Sequence, residues 1–204
     1  MQAVVVDYGA GNLLSVERAL QRVGFTVALA SRPEEIQDAA LVVLPGVGAF
    51  GPAARRLQEA GLWEALRSWA QGGGPLLGLC LGMQLLFEES EEDGRHQGLG
   101  LLPGRVVRLP GGVKVPHMGW NTLTVVRASP VTAHVRSGAH AYFVHSYYAQ
   151  TPRRYVVAET VYGATIPAVV ERRGVVGFQF HPEKSGEVGR RLLAGVREWL
   201  EARR

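Results

Sequence analysis

The hydrophobic positions divide the chain into two halves with different rhythms. In the first half, continuous apolar runs alternate with helical stripes. Residues 3–6 read as a buried strand. Residues 12–23 carry Leu13, Val16, Leu20 and Val23 on one helical face, with Gly24 at the stop position. Residues 25–30 read as a second strand, and Ser31-Arg-Pro-Glu34 as a capping box opening a short helix. A third strand over 41–44 ends at Pro45. A helix follows over 53–69, broken near Gly61, then a strand over 76–79 and a helix over 81–89. This alternation predicts a mostly parallel open sheet with helices on both faces.

The second half is strand-rich. Segments 105–109, 123–127, 141–148, 155–160, 168–171 and 175–180 read as strands separated by Gly and Pro turns. A closing helix over 186–202 places Val188, Leu192, Val196 and Trp199 on its core stripe. The acidic stretch 88–94 reads as a solvated loop. The expected class is therefore α/β, flavodoxin-like, with an antiparallel strand extension in the second half. At 204 residues a single domain over 1–204 is the expectation.

Composition narrows this picture mainly by exclusion. One cysteine cannot form an internal disulfide or supply a Cys-based zinc site alone. The six histidines show no H-x-x-x-H spacing, so no metal and no cofactor is expected. Lys+Arg exceed Asp+Glu by 22 to 18, a net +4, which raises the question of nucleic acid. The basic residues are scattered pairs, such as Arg55-Arg56, Arg172-Arg173 and Arg203-Arg204, without a long run, so no nucleic-acid partner is expected. The longest apolar stretch, 72–87, contains Pro75 and Gln84 and falls short of the ~18–20 residues needed to span a bilayer. Asp7 interrupts the N-terminal apolar run, so no export signal is read there. A cytoplasmic protein with a free thiol and no membrane partner is the expectation.

Three segments carry chemistry. Gly46-Val-Gly48-Ala-Phe-Gly51 matches a dinucleotide fingerprint. It follows the third strand rather than the first, and the next strand ends in Cys80 where a ribose-binding acid should stand. Gly78-Leu-Cys80-Leu-Gly82 is a nucleophile elbow with Cys in place of Ser. A sharp strand-to-helix turn strains the nucleophile's backbone and brings the residues two before and two after too close for side chains. The helix N-terminus that follows stabilises negative charge on sulfur or on an oxyanion. A lone Cys is most often a buried structural residue. The strand, the paired glycines and the helix favour the nucleophile here.

A nucleophilic Cys needs a base and an oxyanion site. In Phe180-His181-Pro-Glu183 the proline biases His181 towards extended backbone, which puts Glu183 on the same side as the His181 ring. A surface His-Pro turn with a solvated Glu fits the same spacing. The amide of Leu81 and a donor from Pro45-Gly46-Val47-Gly48 fit an oxyanion hole.

Together, Pro-Gly-Val-Gly, Gly-Leu-Cys-Leu-Gly-Met-Gln and Phe-His-Pro-Glu resemble the class I, triad glutamine amidotransferases. Segments 7–13, 116–121, 142–148 and 181–185 resemble, within that family, the glutaminase subunits of histidine biosynthesis. The resemblance implies Cys80 as nucleophile, His181 as proton carrier and Glu183 as its orienter. It implies Val47 and Leu81 as oxyanion donors, and Gly48, Gln84, His145, Ser146 and Tyr147 as the glutamine site. It implies a (β/α)8-barrel cyclase as partner in a heterodimer, with Asn12, Pro116, Met118, Trp120, Tyr142 and Lys184 as contact candidates. Taken without the family, Gln84 reads equally as a helix-surface residue and Trp120 as ordinary core. An amidotransferase of anthranilate or pyridoxal phosphate synthesis, a nucleotide-binding α/β protein and a thiol peptidase are the competing readings.

Overall fold

Strands β2 (Thr26–Ala30), β1 (Gln2–Val6), β3 (Leu41–Leu44), β4 (Leu76–Leu79) and β14 (Val175–Phe178) run parallel, side by side in that order. The same sheet continues antiparallel through β13 (Thr165–Arg172), β12 (Val156–Val161) and β9 (Thr124–Val125). In this computed structural model residues 1–203 are described. Arg204, the end of the Arg203-Arg204 pair and of the expected domain, lies outside the described residues.

The apolar runs exist because the central strands are covered on both faces. Along β1, Val4 and Val6 enter one core while Ala3 and Val5 enter the other. Helices α1 (Leu13–Arg22) and α5 (Gly186–Glu201) cover the second of these faces; α2 (Phe50–Glu59) and α3 (Leu62–Gln71) cover the first. This is the expected open α/β sheet with an antiparallel extension. Among the described residues no helix is long and apolar enough to cross a membrane.

Two small sheets flank the large one. One orders β11 (Tyr147–Gln150), β7 (Arg105–Arg108), β5 (Glu89–Ser90) and β6 (His96–Gln97). The other pairs β8 (His117–Thr122) with β10 (His140–His145). These correct several sequence expectations. The helix expected over 81–89 is α4 (Leu81–Leu85) alone, because the carbonyls of Leu85, Leu86 and Phe87 accept from the N–H groups of residues 99–102 instead. The strand expected over 141–148 breaks at Ser146 and serves two different sheets. Only Thr124–Val125 forms a ladder within 123–127, since Val126 and Arg127 both donate to the Val157 carbonyl. The acidic stretch is no simple loop, for Glu89–Ser90 is a strand with Ser90 fully buried. At the first short helix, Glu35 rather than Glu34 accepts from the Ser31 and Arg32 N–H groups.

Candidate active site

The site lies beyond the carboxyl ends of β3, β4 and β14, where open parallel sheets hold their ligands. Cys80 joins β4 to α4 with φ 52° and ψ −109°, in a region that non-glycine residues rarely occupy. The flanking glycines follow from this geometry. A Cβ on Gly78 would sit 2.7 Å from the Gly82 carbonyl oxygen, and one on Gly82 would strike the Leu44 carbonyl oxygen. Leu81 is the first residue of α4, so the helix itself has no acceptor for its N–H.

His181 follows β14 in extended conformation, with φ −98° and ψ 98°. Its N–H donates to the Tyr142 carbonyl at 2.9 Å, and its carbonyl accepts from the Ser185 hydroxyl at 2.6 Å. The ring is thereby held with Nδ1 2.8 Å from Glu183 Oε1. His181 is only 3% exposed, which excludes the surface-turn reading. Nε2 of His181 and Oε2 of Glu183 are buried without a hydrogen-bond partner. Burial on its own would lower the pKa of His181; the contacts with Cys80 and Glu183 outweigh it and raise the value to about 10. The ring therefore holds a proton at neutral pH.

Cys80 and His181 open into one cavity of about 380 Å³, whose wall also contains Val47, Gly48, Leu81 and Gln84 and the segment His145, Ser146 and Tyr147. The Gly46–Gly51 fingerprint thus borders the thiol as loop and helix start. Gln84 is buried, not on the helix surface; its Nε2 donates to the Tyr147 carbonyl at 2.9 Å and to Gln179 Oε1 at 3.2 Å. Those two bonds use both amide hydrogens and leave Gln84 Oε1 as an acceptor. His145 lines the cavity with the other residues of the expected glutamine site, and its ring nitrogens already have protein partners. Both its ring nitrogens are bonded inward, Nδ1 to the Tyr147 carbonyl at 2.9 Å and Nε2 to His117 at 3.0 Å. Burial lowers the pKa of His145 to about 3 and that of His117 to about 4, so both rings are neutral at pH 7.

The contact candidates fall on the β8–β10 ribbon, the cavity wall, and the α1 start with the turn it packs on. Met118, Trp120 and Tyr142 share the outer face of the β8–β10 ribbon, with the Trp120 and Tyr142 rings 5.9 Å apart edge to face. Met118 is 63% and Trp120 57% exposed, which excludes the core reading for Trp120. Pro116 reaches the cavity wall itself. Asn12 accepts from the Ser15 N–H at the start of α1, and α1 packs on the turn that carries exposed Lys184.

Glu92 escaped the sequence reading. It lies in the cavity wall, and its Oε2 accepts from the Phe50 N–H at 2.8 Å. Burial pushes its carboxyl above the usual range, partly offset by that bond. Composition hid it, because 88–93 holds several acids and all of them look alike in sequence as solvated charge.

An elbow thiol, a paired buried His and Glu, and an open parallel sheet define a cysteine amidotransferase site, and comparison with known proteins agrees. The class-I glutamine amidotransferase family matches residues 4–195, and the chain belongs to that family. Within it, the chain is 53% identical over 197 residues to imidazole glycerol phosphate synthase subunit HisH of Carboxydothermus hydrogenoformans, covering 97% of this chain and 99% of that one. It is 50% identical over 190 residues to the HisH subunit of Archaeoglobus fulgidus, covering 93% and 94%. Among solved structures, PurLQS from Thermotoga maritima superposes with a TM-score of 0.76 at 21% identity, covering 98% of each chain, which supports the fold alone.

Proposed function

We propose that this chain, acting as one amidotransferase domain over 1–204, hydrolyses glutamine and passes the ammonia to a (β/α)8-barrel cyclase in a cytoplasmic heterodimer. The cyclase would use it to form imidazole glycerol phosphate and an aminoimidazole carboxamide ribonucleotide in histidine biosynthesis. The observation that carries the reading is the strained Cys80 elbow opening into one cavity with the buried His181–Glu183 pair.

The chemistry runs in two halves. Cys80 sulfur forms a bond to the side-chain amide carbon of glutamine while the carbonyl oxygen takes negative charge. The Leu81 amide and a donor from the Val47 loop meet that charge. His181 gives its proton to the departing nitrogen, the C–N bond breaks, and ammonia leaves a thioester behind. Water then attacks the thioester, His181 takes one of its protons, and glutamate departs with the sulfur restored. Glu183 holds the His181 ring throughout.

Glutamine is held by complementary charges and dipoles. Gln84 Oε1 and the Glu92 carboxylate are acceptors for its α-ammonium, and Gly48, Ser146 and Tyr147 line the remainder. Glu92→Gln keeps an acceptor for the Phe50 N–H and removes the charge. It should raise KM for glutamine about 10-fold with kcat little changed, as loss of uniform binding does. Steady-state glutamate release measures this, and an unchanged KM would remove Glu92 from the glutamine site.

Ammonia explains the partner. Free in neutral water it is mostly protonated and not nucleophilic, so a dry path keeps it reactive. The exposed apolar face of Met118 and Trp120, with Tyr142, suits such a docking surface. The near full-length similarity to HisH subunits supports the histidine pathway over anthranilate or pyridoxal phosphate synthesis. The test is glutamate release by the purified chain with and without a purified cyclase and its nucleotide substrate. Release should be weak alone and rise sharply in the complex. A lone chain as active as the complex contradicts the coupling.

A further inference from the structure

A run of buried and partly buried hydrogen bonds links the β8–β10 ribbon to Cys80. It begins at Asn121, whose Nδ2 lies 3.2 Å from His117 Nε2. His117 Nδ1 lies 3.0 Å from His145 Nε2, and His145 Nδ1 lies 2.9 Å from the Tyr147 carbonyl oxygen. Gln84 Nε2 donates to that same oxygen and to Gln179 Oε1. Gln179 Nε2 in turn lies 3.9 Å from Cys80 sulfur. His117, His145, Gln84 and Gln179 are all buried.

The direction of every bond in this run is fixed by one atom. The Tyr147 carbonyl can only accept, so His145 Nδ1 and Gln84 Nε2 must both donate to it. His145 Nε2 is then an acceptor, so His117 donates through Nδ1 and accepts at Nε2 from Asn121. The Asn121 orientation agrees independently, because its Oδ1 accepts from the Thr122 N–H at 2.8 Å. On the other branch, Gln84 presents an N–H to Gln179, so Gln179 must turn its oxygen to Gln84 and its N–H to sulfur. Protonating either His would set two donors against each other, and burial keeps both neutral. The His117 ring is clamped between Tyr162 and Phe143, with centroids at 4.0 and 4.9 Å.

We infer that Gln179 is a positioning residue for the Cys80 sulfur, its side-chain N–H aimed at the anionic sulfur by Gln84, which the Tyr147 carbonyl orients. The inference rests on Cys80 being the nucleophile. The sulfur has a second neighbour of opposite preference. The Val144 carbonyl lies 3.7 Å away and accepts from the neutral thiol. Gln179 favours the sulfur as acceptor, Val144 favours it as donor, and removing Gln179 leaves the carbonyl unopposed. The run begins on the inner face of β8, whose outer face carries Met118 and Trp120.

The test uses the chain's single thiol and the neutral reagent iodoacetamide. Gln179→Met keeps length and approximate volume without a donor. Its Cys80 alkylation rate at pH 7 should fall about 10-fold, the scale of one lost charge-assisted hydrogen bond. The rise of rate with pH should come later than in the parent. In the complex, kcat for glutamate release should fall with KM nearly constant, while synthesis from added ammonia stays intact. A purely structural role would lower the melting temperature without moving the alkylation profile. Gln179→Glu keeps an acceptor for the Gln84 N–H and puts an oxygen where the N–H faced sulfur, so it should shift the profile the same way by a larger factor. An unmoved profile in folded Gln179→Met overturns the inference, as does an unmoved profile in Gln179→Glu should Gln179→Met not fold. If Cys80→Ala still hydrolyses glutamine, the reading of Cys80 itself fails. If Cys80→Ala is dead and the Gln179→Met profile is unmoved, only the present inference fails.

Discussion

Replacing Cys80 by Ala is expected to abolish glutamine-dependent synthesis by the assembled enzyme and to leave synthesis from added ammonium salt intact. The chain contains one cysteine, so no neighbouring thiol can substitute. Ala at this position keeps the turn and adds no volume, while the backbone strain of φ 52° is unchanged. The loss should be at least about 10³–10⁴-fold in glutamate release, as for other nucleophiles that act as one unit with their base. Ammonia-dependent synthesis reads assembly and cyclase activity in the same sample. If both activities disappear, the chain is not a detachable glutaminase. If glutamine-dependent synthesis survives, Cys80 is not the nucleophile.

That prediction was reachable from sequence because the elbow is a local constraint. Gly78 and Gly82 are required by contacts within the turn itself and by one neighbouring strand end, at Leu44. Pro182 acts on the residue beside it, and Glu183 on the ring two positions away. The continuous apolar runs of β1, β3 and β4 were legible for a related reason. A strand covered on both faces has no polar positions to interrupt it. Their parallel order then brings the ends of β3, β4 and β14 together, which assembles loop, nucleophile and base without further information.

The unread parts depend on non-local partners. β8 contains His117, Gly119 and Asn121 on its inner side, so it lacks the inward apolar alternation that marks a half-buried strand. Its polar inward residues are satisfied by the hydrogen-bond run, which no spacing rule announces. Ser146 turns the chain from one sheet to another, and its carbonyl accepts from the Leu109 N–H far away in sequence. Gln179 reads as an ordinary residue inside the motif around His181. Its role depends on which way its amide faces, and that is set by Tyr147 through Gln84. Glu92 becomes distinctive only because the β5–β6 hairpin folds over the start of α2. His145 stands in the cavity wall where the family motif places it, and the tertiary structure gives both of its ring nitrogens protein partners that the motif does not announce.

Glu183→Gln is the second substitution with a large expected effect. Gln keeps the shape and can still meet Nδ1–H through its oxygen, but it removes the negative charge opposite the His181 ring. The imidazolium needed for ammonia departure loses its counterion in a site where neither group is exposed. Glutaminase kcat should fall about 10²–10⁴-fold, with synthesis from added ammonia preserved. The same substitution has a signature in stability. With a folded pKa near 10 against about 6.5 unfolded, protonated His181 favours the folded state. That contribution is complete below about pH 6.5 and is lost as pH rises through about 10. Removing the carboxylate lowers the folded value and with it the contribution. Parent and variant should therefore differ most near pH 6, by on the order of 2 kcal/mol. The gap should narrow as pH climbs towards 10. Urea unfolding of both proteins across that range measures it, and a gap independent of pH would mean that Glu183 stabilises the fold through something other than the charge on His181.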